Sequence, residues 1–165
     1  MQKIYYAAAE TKIGKIYLAG SEKGLKMVAL TPKEWHRFIQ KAESKKAVSL
    51  IPDQSKLKSL GKGLKDYLAG RKVNFRQKLD WDGFTPFQKK VWSQMLRIPY
   101  GETRSYKWLA AKVNTNSPRA VGQACGSNPW PIVVPCHRVI ASDGSLGGYG
   151  GGLALKEKLL KLERN

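Results

Sequence analysis

Apolar and polar positions change their period near the middle of the chain. In the first 80 residues, KIYYAAAE, KIGKIYLAG and GLKMVALT are short β-type runs separated by Gly, Lys and Thr, and they predict strands. Thr31-Pro32 opens a helix through about Gln40, with proline in its first turn. Residues 41–52 are polar and read as a loop. Leu57, Leu60, Leu64 and Leu68 recur at helical spacing, and Gly70 stops that helix. VNFRQKLDW reads as one more strand.

From about Gly83 the period is helical. Thr85-Pro86 starts a helix with Phe87, Val91, Met95 and Ile98 on one face, broken by Pro99-Tyr100-Gly101. Ser105 caps a helix carrying the stripe Tyr106, Leu109, Ala110, Val113. After a turn at residues 114–117, Ser117-Pro118 caps another, with Ala120, Val121, Ala124 and Cys125 turned inward. Two short helices on a tight turn are the layout of a helix-turn-helix, although any helical hairpin shares it. A last helix spans about Leu153 to Glu163, with Leu155, Leu159 and Leu162 toward the core. The fold class expected is α+β: a small N-terminal α+β domain with an antiparallel sheet (1–82), then a mainly helical, winged-helix-like C-terminal domain (83–165).

Charge changes this picture most. Thirty Lys and Arg against twelve Asp and Glu give a net +18 over 165 residues. Such an excess repels itself, which points to a polyanionic partner: nucleic acid first, an anionic membrane surface second. The competing reading is a lysine-coated surface of the kind found in heat-adapted proteins. The excess is spread over both halves, so it does not locate a binding face. No apolar run approaches the roughly 18 residues of a membrane span, and the first residues do not read as a signal peptide, so a cytoplasmic protein is expected. The second helix of the hairpin has a thin outer side of Ala120, Gly122, Gln123 and Gly126, with Arg119 at its start. A thin helix suits a groove. Arg119 reads equally well as a wedge into the base stack or as an ordinary surface charge.

The candidate chemistry lies in NPWPIVVPCHRVI, residues 128–140. Two cysteines, Cys125 and Cys136, make neither a disulfide framework nor a zinc set. Cys125 reads as a small buried hydrophobe. Cys136 stands beside His137 in a frame of Pro129, Pro131 and Pro135, so an unusual backbone can bring base and thiol into register. A working histidine needs an orienting carboxylate. Beyond residue 100 the choices are Glu102, Asp143, Glu157 and Glu163, and Glu163 sits on a helix end that could fold back over the site. GSLGGYGGG, residues 144–152, lets backbone approach a ligand, and Tyr149 within it suggests stacking on a planar group.

PCHRVI, with IPYGETRSYKWLA and RAVGQACGSNPWPI before it and GGYGGGLALKEKLLKLE after it, resembles the O6-alkylguanine-DNA alkyltransferase family over roughly Thr85 to Glu163. The N-terminal half is similar to that family's variable domain in layout only. The resemblance implies single-turnover repair of double-stranded DNA carrying alkylated guanine, by transfer of the alkyl group to Cys136. It implies His137 as base, Glu163 as its orienting acid, Tyr106 as proton donor and Asn128 as the holder of the turn. Arg119 would fill the vacated stack. DNA would be contacted by Tyr106, Lys107, Thr115, Ala120, Gly122 and Ser142 as well. Tyr149, Gly150, Pro131, Val139 and Cys125 would surround the base and alkyl group. Gly150 is a departure, since many members carry a serine there. No cofactor and no metal are expected, nor a membrane partner, and the chain is expected to act as a monomer.

Overall fold

The computed structural model describes all residues, Met1–Asn165, in two units, Met1–Trp81 and Asp82–Asn165. In the first, β1 (Gln2–Thr11), β2 (Gly14–Ser21) and β3 (Gly24–Ala29) form an antiparallel meander. The segment expected as a polar loop holds the end of α1 (Pro32–Glu43) and a fourth strand, β4 (Val48–Pro52). β4 pairs parallel with β1, so the sheet is mixed, in the order β3-β2-β1-β4. VNFRQKLDW forms no regular strand. It runs alongside Leu25, whose N–H bonds Lys78 O at 2.7 Å while its carbonyl accepts from Asp80 N at 2.9 Å.

Alternation along the strands sends neighbouring side chains to opposite faces. Ile4, Tyr6, Tyr17 and Ala19 face α1, where Trp35 stacks on Tyr17 at 5.3 Å and on Phe38 at 5.4 Å. Ala9, Leu18 and Gly20 face α2 (Gln54–Leu68), which buries Leu57, Leu60, Leu64 and Leu68 as its leucine spacing predicts. Thr31 starts α1 with a reciprocal capping box to Glu34, and Asp53 caps α2 by accepting from Ser55 N and Lys56 N.

The second unit packs α3 (Pro86–Met95), α4 (Tyr106–Lys112), α5 (Pro118–Gly126) and α6 (Leu153–Arg164). Its core centres on Trp92 and Trp130, which meet edge to face at 5.4 Å with Phe84 against both. Trp92 Nε1 donates to Ala124 O at 2.8 Å and so fixes α5 on α3. The hairpin of α4 and α5 turns through Asn114, whose φ of 57° an asparagine tolerates. Val121, Ala124 and Cys125 are buried as expected, whereas Ala120 is only half-buried. Two short strands, β5 (Arg104–Ser105) and β6 (Val139–Ile140), pair parallel and join the start of α4 to the segment after Cys136. On α6 the inward face differs from the leucine stripe expected. Lys156, Leu159, Leu160 and Glu163 are buried, while Leu155 and Leu162 lie at its margin.

Candidate active site

The backbone around Cys136 is irregular, and the prolines are only part of the reason. Residues 130–134 make a turn closed by Val134 N to Trp130 O at 2.8 Å. In it Ile132 takes a φ of 73°, a strained value for a β-branched residue. Asn128 holds the turn from inside: its Nδ2 donates to Val134 O at 2.9 Å, and its Oδ1 accepts from Trp130 N at 3.0 Å. Asn128 therefore shapes the approach to the thiol. Cys136–Arg138 then form one 3-10 turn.

That turn sends His137 inward. Both residues are buried, His137 fully and Cys136 with 8% of its surface exposed, so Cys136 is the less enclosed of the two. His137 Nε2 lies 2.7 Å from Glu163 Oε1. A carboxylate can only accept, so Nε2 carries the hydrogen and Nδ1 is the basic nitrogen. Burial pushes the His137 pKa below 6.5, against the pull of Glu163, and keeps the ring neutral. Of the four carboxylates considered, Glu163 is the partner. Glu102 pairs with Arg104, Asp143 accepts from Ser145, and Glu157 pairs with Lys161.

Two cations complete the arrangement, and sequence reasoning named neither. Arg138 donates through Nε and Nη2 to Glu163 at 2.9 Å each, and through Nη1 to Ile98 O at 2.7 Å. With Gly101 N donating to Glu163 Oε2 at 3.1 Å, the buried carboxylate is charge-balanced and hydrogen-bonded on both oxygens. Lys156, fully buried on α6, donates to Val139 O at 2.6 Å, Leu146 O at 2.5 Å and Gly148 O at 3.1 Å. It also reaches Tyr106 Oη at 3.4 Å. Burial pushes its pKa below the usual lysine value. Arg138 and Lys156 left one trace each in the sequence: the first adjoins His137, and the second interrupts an apolar helix face three residues before Leu159.

Tyr106 opens α4 and lies against both the glycine loop and α5. A Cβ on Gly147 would stand 2.8 Å from its Cε2, and one on Gly122 would stand 4.0 Å from its Cε1. Burial, with repulsion from Cys125 and Cys136, pushes its pKa up to about 12, so the hydroxyl stays protonated near neutrality. Cys125, 3.5 Å from Met95 Sδ, is likewise pushed up to about 12 by burial and stays an inert thiol. Because Gly147 has a φ of 70°, Gly147→Ala meets both a strained backbone and the Tyr106 ring. It is expected to cost about 1–2 kcal/mol from the backbone alone, visible as a lower urea midpoint, with slower reaction at Cys136.

The remaining expected residues fall in three places. Pro131 and Val139 are buried beside the Cys136 turn, and the Val139 carbonyl is engaged by Lys156. Tyr149 and Gly150 lie on the glycine loop that Lys156 ties down, with Tyr149 half-buried and Gly150 exposed. Arg119 and Lys107 are exposed near the starts of α5 and α4, Gly122 is half-buried on α5, and half-buried Thr115 caps the turn between them by accepting from Ser117 N at 3.3 Å. Ser142 is exposed in the turn after β6. No group of three or more His, Cys, Asp or Glu is placed to hold a metal ion.

The chain is similar to known proteins along its whole length. Residues 86–165 match the family described as 6-O-methylguanine DNA methyltransferase, DNA binding domain, and residues 4–81 match its ribonuclease-like domain. A methylated-DNA–protein-cysteine methyltransferase of Methanosarcina barkeri is 42% identical over 98% of both chains. The constitutive one of Bacillus subtilis is 39% identical over 97% of this chain and 95% of its own. A crystal structure of Mycobacterium tuberculosis OGT in complex with DNA superposes with a TM-score of 0.82 at 38% identity, covering 97% of this chain and 92% of that one. With both halves matched and relatives aligned end to end, the chain belongs to the methylated-DNA–protein-cysteine methyltransferase family.

Proposed function

We propose that this protein repairs double-stranded DNA by moving the alkyl group of O6-alkylguanine onto Cys136, once per molecule. The observation that carries the assignment to Cys136 is its own geometry: the less enclosed residue of a turn whose next side chain is a buried neutral histidine held by Glu163. The target oxygen lies inside a base pair, so the nucleotide must leave the stack, at a cost of a few kcal/mol that a weakened pair reduces. Arg119, exposed at the start of a helix whose outer side is small, fills the gap. Lys107, Thr115, Ala120, Gly122 and Ser142 line the contact with the backbone and groove, and Tyr149, Gly150, Pro131, Val139 and Cys125 border the base.

His137 Nδ1 takes the thiol hydrogen through one bridging water. The thiolate attacks the alkyl carbon, a sulfur–carbon bond forms, and the carbon–oxygen bond breaks with its electron pair passing into the purine. Tyr106 donates its proton toward the ring as guanine leaves and regains one from the His137 side. The thiol hydrogen ends on guanine and the alkyl group on sulfur. In this reading residues 1–82 are a separate α+β domain and residues 83–165 the DNA-binding acceptor domain. Work on chromosomal DNA puts the protein in the cytoplasm of a prokaryotic cell or the nucleus of a eukaryotic one.

Intact-protein mass after mixing with excess O6-benzylguanine tests the chemistry. One benzyl group per chain is expected, located on Cys136, and Cys136→Ser should gain none. Continued turnover beyond one equivalent would mean a hydrolytic cysteine site instead. Label surviving Cys136→Ser would move the acceptor elsewhere.

A further inference from the structure

The larger share of the positive charge lies in the unit that contains none of the proposed chemistry. Residues 1–81 hold 18 Lys and Arg against 7 Asp and Glu, a net +11, and residues 82–165 hold 12 against 5, a net +7. Four of the first unit's eighteen cations are answered by ion pairs. Lys26 pairs with Asp80, Lys56 with Glu22, and Lys62 and Arg71 with Asp66. Two further acids are occupied as caps, Glu34 at the start of α1 and Asp53 at the start of α2.

On the outward side of α1 the unpaired cations fall at a regular spacing. Lys33, Arg37 and Lys41 follow one another every fourth residue, all exposed, and Lys45 and Lys46 continue the run just past the helix. None of these five makes an ion pair. Glu43, exposed at the end of the helix, pairs with none of them. Helix stability accounts for Lys41 at the C-terminal turn but not for the rest of the row. A cation at Lys33, in the first turn, opposes the helix dipole, and each like pair four apart costs a few tenths of a kcal/mol. Lys41, in the last turn, favours the dipole, but the three together form a row of like charge that no acid answers, and such a row is suited to a polyanion.

Duplex DNA fits better than a membrane. Three cations spaced by four residues span about 12 Å, over which a duplex presents roughly seven phosphates. An interfacial helix needs apolar residues beside its cations. The large exposed apolar residues of this chain are Met1, Leu96 and Leu153, none of them on α1. We infer that the α1 face of Lys33, Arg37 and Lys41, continued by Lys45 and Lys46, is a second phosphate-binding surface, which holds duplex DNA without reading its sequence. The inference rests on DNA as the partner.

Full-length K33Q/R37Q/K41Q tests it, since these exposed side chains take no part in the core or the thiol site. Duplex affinity is measured from low to high salt, beside the rate of reaction with free O6-benzylguanine. The log–log salt slope is expected to flatten by about 2–3, and binding near 0.1 M salt to weaken roughly tenfold to a hundredfold. The free-base rate should not change. A control that neutralises the paired lysines, K56Q/K62Q, should flatten the slope less. An unchanged slope in the triple variant, with normal salt-dependent binding by the wild type, overturns the inference and leaves the repair reading standing. Loss of binding to phosphatidylserine vesicles with DNA binding intact overturns it in favour of a membrane. A wild type with no salt-dependent duplex binding would instead remove DNA as the partner.

Discussion

Glu163→Gln is expected to slow alkyl transfer to Cys136 by about a hundredfold or more, the scale of losing an oriented general base. It should also destabilise the fold by about 3 kcal/mol, the lower end for breaking a buried ion pair. Both effects come from one carboxylate. Glu163 accepts from His137 Nε2 at 2.7 Å and from Arg138 and Gly101 N. Glutamine keeps the shape and one acceptor oxygen, so the loss stays at the lower end. Its amide nitrogen, however, would face guanidinium or imidazole donors. Arg138, whose side chain is 12% exposed, would lose the charge that answers it. Urea midpoints give the stability, and single-turnover rates on O6-benzylguanine give the chemistry.

A merely structural role would not move the pH profile. His137 is held below 6.5 by burial, against the raising effect of Glu163. Its proton is therefore bound more readily in the unfolded chain. The stability contributed by neutral His137 is fully present above about pH 6.5 and is lost as pH falls through the lowered folded value. The transfer rate should fall over that same acid window. Removing the carboxylate removes what raises the value, so the acid limb of Glu163→Gln should shift to lower pH. An unshifted acid limb, even with slower transfer, would show that Glu163 only holds the fold.

The site was legible in sequence wherever one residue type does one job at a fixed place. Cys136 beside His137 is such a case, and so are Ser105 and Ser117, which cap α4 and α5 as their spacing suggests. Choosing among four carboxylates was not possible from residue types, because the choice depends on α6 ending beside the 3-10 turn. The fold was misread where a signal was averaged away. β4, VSLIP, is five residues with a partly buried pattern, and it pairs with a strand almost fifty residues earlier. The polar residues just before it, from Lys41 to Lys46, make the whole of 41–52 read as loop until β1 supplies a partner for VSLIP. VNFRQKLDW shows the reverse: its alternation is real, but only a single bridge to Leu25 forms. On α6 the leucines suggested a stripe at 155, 159 and 162, while burial chose 156, 159, 160 and 163. Treating Lys156 as polar hid it, although its position on the inward face was the signal that its charge had work inside the protein.

Lys156→Met is expected to unsettle that interior. Two effects oppose each other. Methionine removes a buried cation that makes no ion pair, and relieving its desolvation favours the variant by several kcal/mol at most. Against this stand three carbonyls, Val139 O, Leu146 O and Gly148 O, each within 3.1 Å of Nζ. Hydrogen bonds to a charged donor contribute about 1.5–3 kcal/mol each as net values that already include desolvation, so losing three outweighs the relief. A net loss of about 3 kcal/mol or more is expected, read as a lower urea midpoint. The damage should also be directional. Lys156 joins the β6 strand after Cys136 to the loop carrying Tyr149, and reaches Tyr106 at 3.4 Å. Amide exchange should therefore quicken at residues 144–152 before it quickens in α3 or α5. Transfer to Cys136 should slow even where the variant is fully folded, because Tyr106 loses the wall that the loop provides. Lys156→Arg, which keeps charge and donors in a larger head, should recover the midpoint only in part. A midpoint unchanged in Lys156→Met, with normal protection of the loop, would show that the three carbonyls find other donors and that the lysine fastens nothing.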